Sequence, residues 1–546
     1  MVNRSAEDML DVAIVGGGVS GVYSGMRLLD SSREPMSPLG DGPLKVAIFE
    51  QSGRIGGRLL SLAPPGVTST RVEVGGMRYT SEHRHVRGLV ALFGLKPIDF
   101  PVRQPQNIAY LRGTRLRLEE LTDADLLPYQ LVGEERSPAL LKEGFTAVAA
   151  ERLLRAMTGS AVNLAEVNWL EIARTLDFEG ESLTDLPLRY LMQRMIGHEA
   201  YDFAVDSSGY DSILHTWNGA DGFPWNLADF GTSVSYYRLK EGYQEIPLRC
   251  AKAFEAAGGV LKMHVRLRGF DLIDPQDPEK GVVFVTVDDH DVETTHRAKR
   301  LVLAMPRRAL ELLEPRGAML QPGNRTVRKL MESVTPIPLF KLALCYDYPW
   351  WETLQPPAGR PGMAPITEGE SITDLPVRQL YYWATDPETG KSVVLIYDDG
   401  GALTFWAGLR SVGGAPFKGA GGGPPGGGLP GWSDYPAPKR MVEEAHRQIM
   451  EMHGVTGRPD IPPPYAAAYQ DWGEDPYGGG ANFWHVGVRS HEVSRAIVQP
   501  LPDAPIYVCG EAYSHAQGWV EGALATAEDM LQHHLGLAPP AWEGQG

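Results

Sequence analysis

Between Asp11 and Leu29 the segment DVAIVGGGVSGVYSGMRLL changes its hydrophobic period. It opens as a β-branched apolar run, which predicts a buried strand. After the glycines the apolar residues recur at helical spacing, which predicts a helix. A second apolar run, LKVAIFE, predicts a neighbouring strand ending at Glu50, and SSREPMSPLGDGP before it predicts a lengthened helix–strand loop. Farther on, FKLALCYDYPWW and TDLPVRQLYYWA predict strands, and residues about 136–232 look helical. The stretch GGAPFKGAGGGPPGGGLPG, 413 to 431, is low-complexity and predicts a surface loop. No internal repeat is visible.

The glycines between the first strand and helix are Gly16, Gly18 and Gly21, a GxGxxG pattern with Ser20 inside it. In strand–turn–helix context this spacing gives a tight turn, and it lets a pyrophosphate sit against the N–H groups at the helix start. Glu50 at the end of the second strand is the expected acidic partner of a ribose hydroxyl, followed by Gln51. In the QSGRIGGRLLS that follows, Arg54 and Arg58 flank Gly56 and Gly57, which puts two cations beside a glycine turn where diphosphate charge would lie. A dinucleotide site is therefore expected.

Length and composition bound the rest. A chain of 546 residues exceeds one compact core and predicts two to four domains, some of them built from separate segments. Lysine plus arginine number 51 against 68 aspartate plus glutamate, a formal net charge of −17, which disfavours nucleic acid or an anionic membrane as partner. Cys250, Cys345 and Cys509 are odd in number and lack CxxC spacing, which argues against a disulfide framework or structural zinc. The N-terminus shows no apolar signal region, and no apolar run is long enough to span a membrane. A cytoplasmic protein is the expectation, with no metal site, since His83, His85, His215 and His485 offer no ligand spacing.

GxGxxG, an acid at a strand end, GRIGGR and then EVGGMR (Glu73 to Arg78) resemble the flavin-dependent amine oxidases, and within them most the L-amino-acid oxidases. The resemblance continues through LKEGYQEIPLRCAKAFEAAGGVLKMHVRLRGFDL to the closing IYVCGEAYSHAQGWVEGALATAEDML. It implies an α/β fold with a discontinuous Rossmann-like FAD-binding domain at about 8–80, 238–335 and 486–546. A mixed-sheet substrate domain at 81–135 and 336–485 and a helical domain at 136–237 complete it. The cofactor implied is FAD, held by Gly16, Gly18, Ser20, Gly21, Glu50, Gln51, Arg54, Gly57, Arg58, Gly75, Gly76, Met77, Arg78, Leu267, Trp472, Gly510, Glu511, Gly518, Trp519 and Val520. A homo-oligomer, dimer or larger, is also implied.

The activity implied is oxidative deamination of an L-amino acid by dioxygen. Arg78 would grip the substrate carboxylate bidentately, and Tyr382 would donate to the same group. Strand alternation sends Tyr381 and Tyr382 to opposite faces, so only one of them can serve. Lys341 resembles the family lysine that assists reoxidation. Trp519 stands where monoamine oxidases carry a cage tyrosine, and the Gly518 carbonyl could accept from the substrate amine. The other cage position aligns with Asn482, whose lack of a ring speaks against a simple amine. Ala481 aligns with their flavin-linked cysteine, so a non-covalent FAD is expected. Trp472 is expected beside the flavin, while Glu199, Asp202, Asp206 and Asp211 read as a solvated acidic face. Three other readings stay open: an amide-forming flavin monooxygenase, a monoamine or polyamine oxidase, and a flavin-free escort protein of the same fold.

Overall fold

A computed structural model describes residues 9–30, 32–34, 37–229, 234–354, 364–412, 416–417 and 430–545. The Gly/Pro-rich stretch 413–431 lies almost wholly outside them. The apolar run at the N-terminus forms the strand Leu10–Val15, parallel to Val46–Phe49 on one side and to the end of Glu293–Leu303 on the other. Both faces of this central strand are covered, as a parallel sheet requires. Val12 and Ile14 enter one apolar cluster with Val22, Tyr23 and Met26 of the helix Val19–Asp30, while Ala13 and Val15 enter another.

The sheet order is Val260–Lys262, Val46–Phe49, Leu10–Val15, Glu293–Leu303, Val282–Asp288, Val265–Leu272. The long strand Glu293–Leu303 changes neighbours along its length. Its first part is antiparallel to Val282–Asp288, and its last three residues run parallel to Ile506–Val508. The first two and the last of these segments are thus joined into one sheet from distant parts of the chain. That brings the first glycine turn beside the C-terminal segment at Gly510.

A second sheet runs Ala466–Asp471, Phe340–Tyr346, Ser392–Asp398, Gln379–Thr385, Glu370–Thr373, Ile108–Leu111, Thr114–Arg117. Its two faces are chemically distinct because side chains alternate along each strand. Leu342, Leu344, Leu380, Tyr382, Val394 and Ile396 face the helix Lys439–Met452 and its Met441, Ala445 and Ile449. Ala343, Cys345, Tyr381, Trp383, Val393 and Leu395 face Val72, Val74 and Met77, the segment leading to Arg78. Lys341 has the parity of that second face.

Between Ile108–Arg117 and the return strand Tyr236–Leu239 lies a helical unit containing Phe145–Thr158, Leu188–Met195, His198–Ser208 and Gly219–Asp229. Its carboxylates do not form a solvated face. Arg112 pairs with Glu199 at 2.7 Å and Asp202 at 3.0 Å, Tyr129 donates to Asp206 at 2.6 Å, and Arg378 donates to Asp211 at 2.9 Å. Arg112 and Arg378 thereby fasten this unit to the second sheet. Among the described residues no helix is long and apolar enough to cross a membrane.

Candidate active site

The nucleotide cleft begins where backbone meets backbone. A Cβ on Gly21 would lie 2.0 Å from the Gly16 carbonyl oxygen, and one on Gly16, whose φ is +113°, 2.3 Å from that of Ala304. Only glycine permits this approach of helix to strand. Gly56 donates to the Gly17 carbonyl at 2.9 Å, so the GRIGGR turn is laid directly on the first glycine turn. Glu50 accepts from Gly17 N at 2.6 Å and from Ser52 N at 2.8 Å, which fixes its carboxylate at the cleft edge.

The cleft, partly open to solvent, has Gly16, Gly18, Ser20, Glu50, Gln51 and Gly57 on its walls. Val265, Leu267 and Leu313 give it an apolar end. At the other end Glu511 joins three segments. Its Oε1 accepts from Asn482 N at 2.9 Å and Gly518 N at 2.7 Å, and its Oε2 from Arg58 at 2.7 Å and Asn482 Nδ2 at 3.0 Å. An elongated glycine cradle at a helix start, with a fixed acid at one end and an apolar wall, fits FAD.

A second cavity, partly open to solvent, continues from this end. Arg58, Gly76, Gly480, Gly518, Trp519 and Val520 line both. Gly75 carries the EVGGMR segment across this junction: a Cβ there would lie 2.3 Å from the Arg58 carbonyl oxygen. The chain is pared to glycine so that it can cross the GRIGGR turn, and Met77 and Arg78 then enter the second cavity. Arg78 is 5% exposed. Its guanidinium lies 4.6 Å from the Tyr236 ring centre and donates to Tyr210 at 3.1 Å and to Tyr381 at 3.4 Å.

Lys341 donates to the Gly75 carbonyl and lies 4.9 Å from the ring centre of Tyr397, its partner on the adjacent strand. Burial pushes this amine down to about 7; Glu73 opposes the shift and Arg78 adds to it. Burial likewise pushes the Glu73 carboxyl up to about 7, against hydrogen bonds from Ser61 Oγ at 2.6 Å and Tyr243 N at 2.8 Å and the charges of Lys341 and Arg238. Lys341 is on the cavity wall, and Glu73 is buried within reach of its charge.

Three expectations, on Tyr382, Arg54 and Asn482, need correction. Tyr382 is not in this cavity: it lies on the opposite face of the sheet, where its hydroxyl meets Ser371 Oγ at 3.0 Å and His453 Nε2 at 2.8 Å. Tyr397 and Tyr210 line the cavity instead, and Tyr381 stands behind Arg78, donating to Gln379 at 2.8 Å. Arg54 does not face the nucleotide cleft. It donates to the carbonyls of Gly57 and Leu59 and to Tyr477, bracing the glycine turn from outside. Trp472 lines the second cavity where it adjoins the nucleotide cleft, with its indole donating to Val74 O at 2.7 Å. Asn482 is turned to Glu511, and its neighbours Ala481 and Phe483 face the cavity, so an absent ring at 482 removes nothing from the wall.

The flavin containing amine oxidoreductase family model matches residues 39–412 and 429–530. Aplysianin-A of Aplysia kurodai is 25% identical over 555 residues, covering 98% of this chain and 91% of its own. The L-amino-acid oxidase of Vipera ammodytes ammodytes is 23% identical over 519 residues, covering 94% and 90%. Among solved structures, putrescine oxidase bound to putrescine and cyclohexylamine oxidase from Brevibacterium oxydans each superpose with a TM-score of 0.62 at 17% identity, covering 96% of this chain and 100% of theirs. The cradle, the fixed acid and the matched length have one reading: the chain belongs to the flavin containing amine oxidoreductases and uses FAD.

Proposed function

We propose that this oxidoreductase converts an L-amino acid, dioxygen and water to a 2-oxo acid, ammonia and hydrogen peroxide. The observation that carries the reading is Arg78, a buried guanidinium lining the cavity that adjoins the flavin cleft. A simple amine offers nothing for it to hold, whereas an α-carboxylate matches its planar fork. The name of the Vipera relative supports the same substrate class.

Bound FAD supplies the redox chemistry, taking hydride equivalents from the substrate Cα and yielding them to dioxygen. The chain supplies position. Arg78 and Tyr397 hold the carboxylate, the Gly518 carbonyl accepts from the amine, and Trp519, against which His83 packs at 4.7 Å, closes the side. Fixing the substrate at both polar ends aims one C–H bond, which is the proximity contribution. Ala481 offers no nucleophile at the cavity wall, so FAD is held without a covalent bond there. Lys341 serves the oxygen half-reaction.

Product analysis tests the reading: equal amounts of 2-oxo acid, ammonia and peroxide are expected from an L-amino acid. Amide and carbon dioxide would move the enzyme to the monooxygenases. Phe483 and Trp519 on the cavity wall favour a second reading, an oxidase of simple amines like the putrescine and cyclohexylamine enzymes. Turnover of amines without turnover of amino acids would establish it.

The two strand tyrosines separate by kinetics. Tyr397→Phe is expected to raise KM about tenfold, the loss of one hydrogen bond to a charged group. Tyr382→Phe should leave KM within about twofold and lower stability by about 1 kcal/mol, since only its bonds to Ser371 and His453 are lost. Urea unfolding beside steady-state assays on both variants checks the pair.

The sign of the pH dependence follows from Lys341. Below about 7 the amine is protonated and can stabilise negative charge passing to dioxygen; above it the charge is lost. Stopped-flow reoxidation of the reduced enzyme should therefore slow as pH rises through about 7. Lys341→Met should slow the acid limb by about 10²-fold and remove the step. Glu73→Gln removes the anion that holds the amine's pKa up, so the midpoint should move to lower pH.

A further inference from the structure

The helical unit reaches the cavity through Trp225 and through Tyr210, Ser212 and Ile213 of the segment 209–213. Tyr210 stands there with its hydroxyl 3.1 Å from Arg78 Nη2 and its ring edge-on to Tyr397 at 5.6 Å. The segment is clamped from both sides by residues adjoining the cavity strands. From the strand that carries Tyr381, Gln379 donates to Gly209 O at 2.9 Å, and Arg378, just before it, donates to Asp211 Oδ1 at 2.9 Å and to Val205 O at 3.0 Å. Just past Tyr397, Asp399 accepts from Asp211 N at 2.8 Å, from Ser212 N at 3.2 Å and from Ser212 Oγ. Gly209 has φ +78°, and a Cβ there would lie 2.9 Å from Gln379 Cγ, so this close turn is reserved for glycine.

Arg378 and Asp399 are 3% and 2% exposed, and their bonds hold the chain on both sides of Tyr210. An anion gripped by the Arg78 fork has that hydroxyl within reach, beside the one from Tyr397. We infer that Tyr210 is a third ligand for the substrate carboxylate, delivered from the helical unit, with Asp399 and Arg378 as the residues that position it. The inference rests on the amino-acid reading of the cavity. On it, the carboxylate site is complete only when the helical unit is seated.

The test is binding of benzoate, a carboxylate probe, to the FAD-loaded enzyme, followed by perturbation of the flavin's visible spectrum, with steady-state kinetics beside it. Tyr210→Phe is expected to raise the benzoate Kd and the KM for an L-amino acid about tenfold, with kcat within about twofold and thermal stability retained. Asp399→Ala should weaken benzoate in the same direction. Asp399→Asn should recover only part of the loss, because its single amide oxygen can serve either Asp211 N or Ser212 N, and its N–H₂ then stands against the other donor. Unchanged benzoate affinity in Tyr210→Phe, or a fall in kcat without a change in KM, overturns the inference. Arg78→Ala separates the two claims. If it leaves benzoate binding intact, the carboxylate reading of the cavity fails; if it abolishes binding while Tyr210→Phe does not weaken it, only the role of Tyr210 fails.

Discussion

Arg78→Ala should raise the KM for an L-amino acid by about 10²-fold, while the flavin stays bound and kcat changes far less. Losing one partner of a desolvated, hydrogen-bonded charge pair costs about 3 kcal/mol, and each 1.4 kcal/mol is a factor of ten. The loss falls on KM because the carboxylate is held equally in ground and transition states. The cofactor is spared because Arg78 lines the second cavity, whereas Gly16, Glu50 and Gln51 line the first. Arg78→Lys keeps charge but not the fork, and it should recover only part of the loss. Decarboxylated amines provide the control, since their kinetics have no carboxylate to lose. Equal effects on amino acid and amine would mean that Arg78 is a structural brace for Tyr210, Tyr381 and Tyr236.

Glu511→Ala is expected to empty the cofactor site. Its carboxylate gathers Arg58, the backbone of Asn482 and the backbone of Gly518, so three segments lose their common acceptor at once. Arg58 and Glu511 side chains are 20% and 6% exposed, and breaking such a covered pair costs about 3 kcal/mol. The purified variant should carry far less flavin per chain than the parent and melt at least several degrees lower. Glu511→Gln keeps the volume but sets an amide N–H₂ against Arg58 or Gly518 N–H, so it should fail in the same direction to a smaller extent. Full flavin occupancy in both variants would show that the cofactor's own contacts hold the site open without this hub.

What the sequence made legible was local. Gly16, Gly18 and Gly21 can be read because turn, close approach and helix start are properties of consecutive residues, and the same holds for Glu50, Arg58 and the EVGGMR segment. The choice between Tyr381 and Tyr382 was not legible. Period-two alternation shows that they face opposite ways, but which face meets the flavin depends on what packs against the sheet. Lys439–Met452 covers the Tyr382 face, a contact between segments far apart in the chain. Tyr397 was missed for the same reason: its place follows from antiparallel pairing with Lys341, and strand register is not written in either segment alone.

Arg54 illustrates another limit. Two arginines around one glycine turn look equivalent in sequence, yet one faces Glu511 and the cleft while the other turns back to the carbonyls of Gly57 and Leu59. Asn482 was misplaced by parity, one residue from Phe483. The signal that would have found Tyr210 is the polar run around it: Asp206, Asp211 and Ser212 in a helical unit match Arg378 and Asp399 beside the cavity strands. That match is visible only once both are seen to flank the same guanidinium.

The most direct measurement is anaerobic mixing of the FAD-loaded enzyme with matched sets of L-amino acids, their D-enantiomers and the amines left by removing the carboxyl group, following loss of the flavin's visible absorbance. The account predicts rapid bleaching with at least one L-amino acid, slow or absent bleaching with its amine and D-enantiomer, and loss of the L-amino-acid response at the same concentration in Arg78→Ala. Bleaching by the amine as fast as by the amino acid, unaffected by Arg78→Ala, would contradict it.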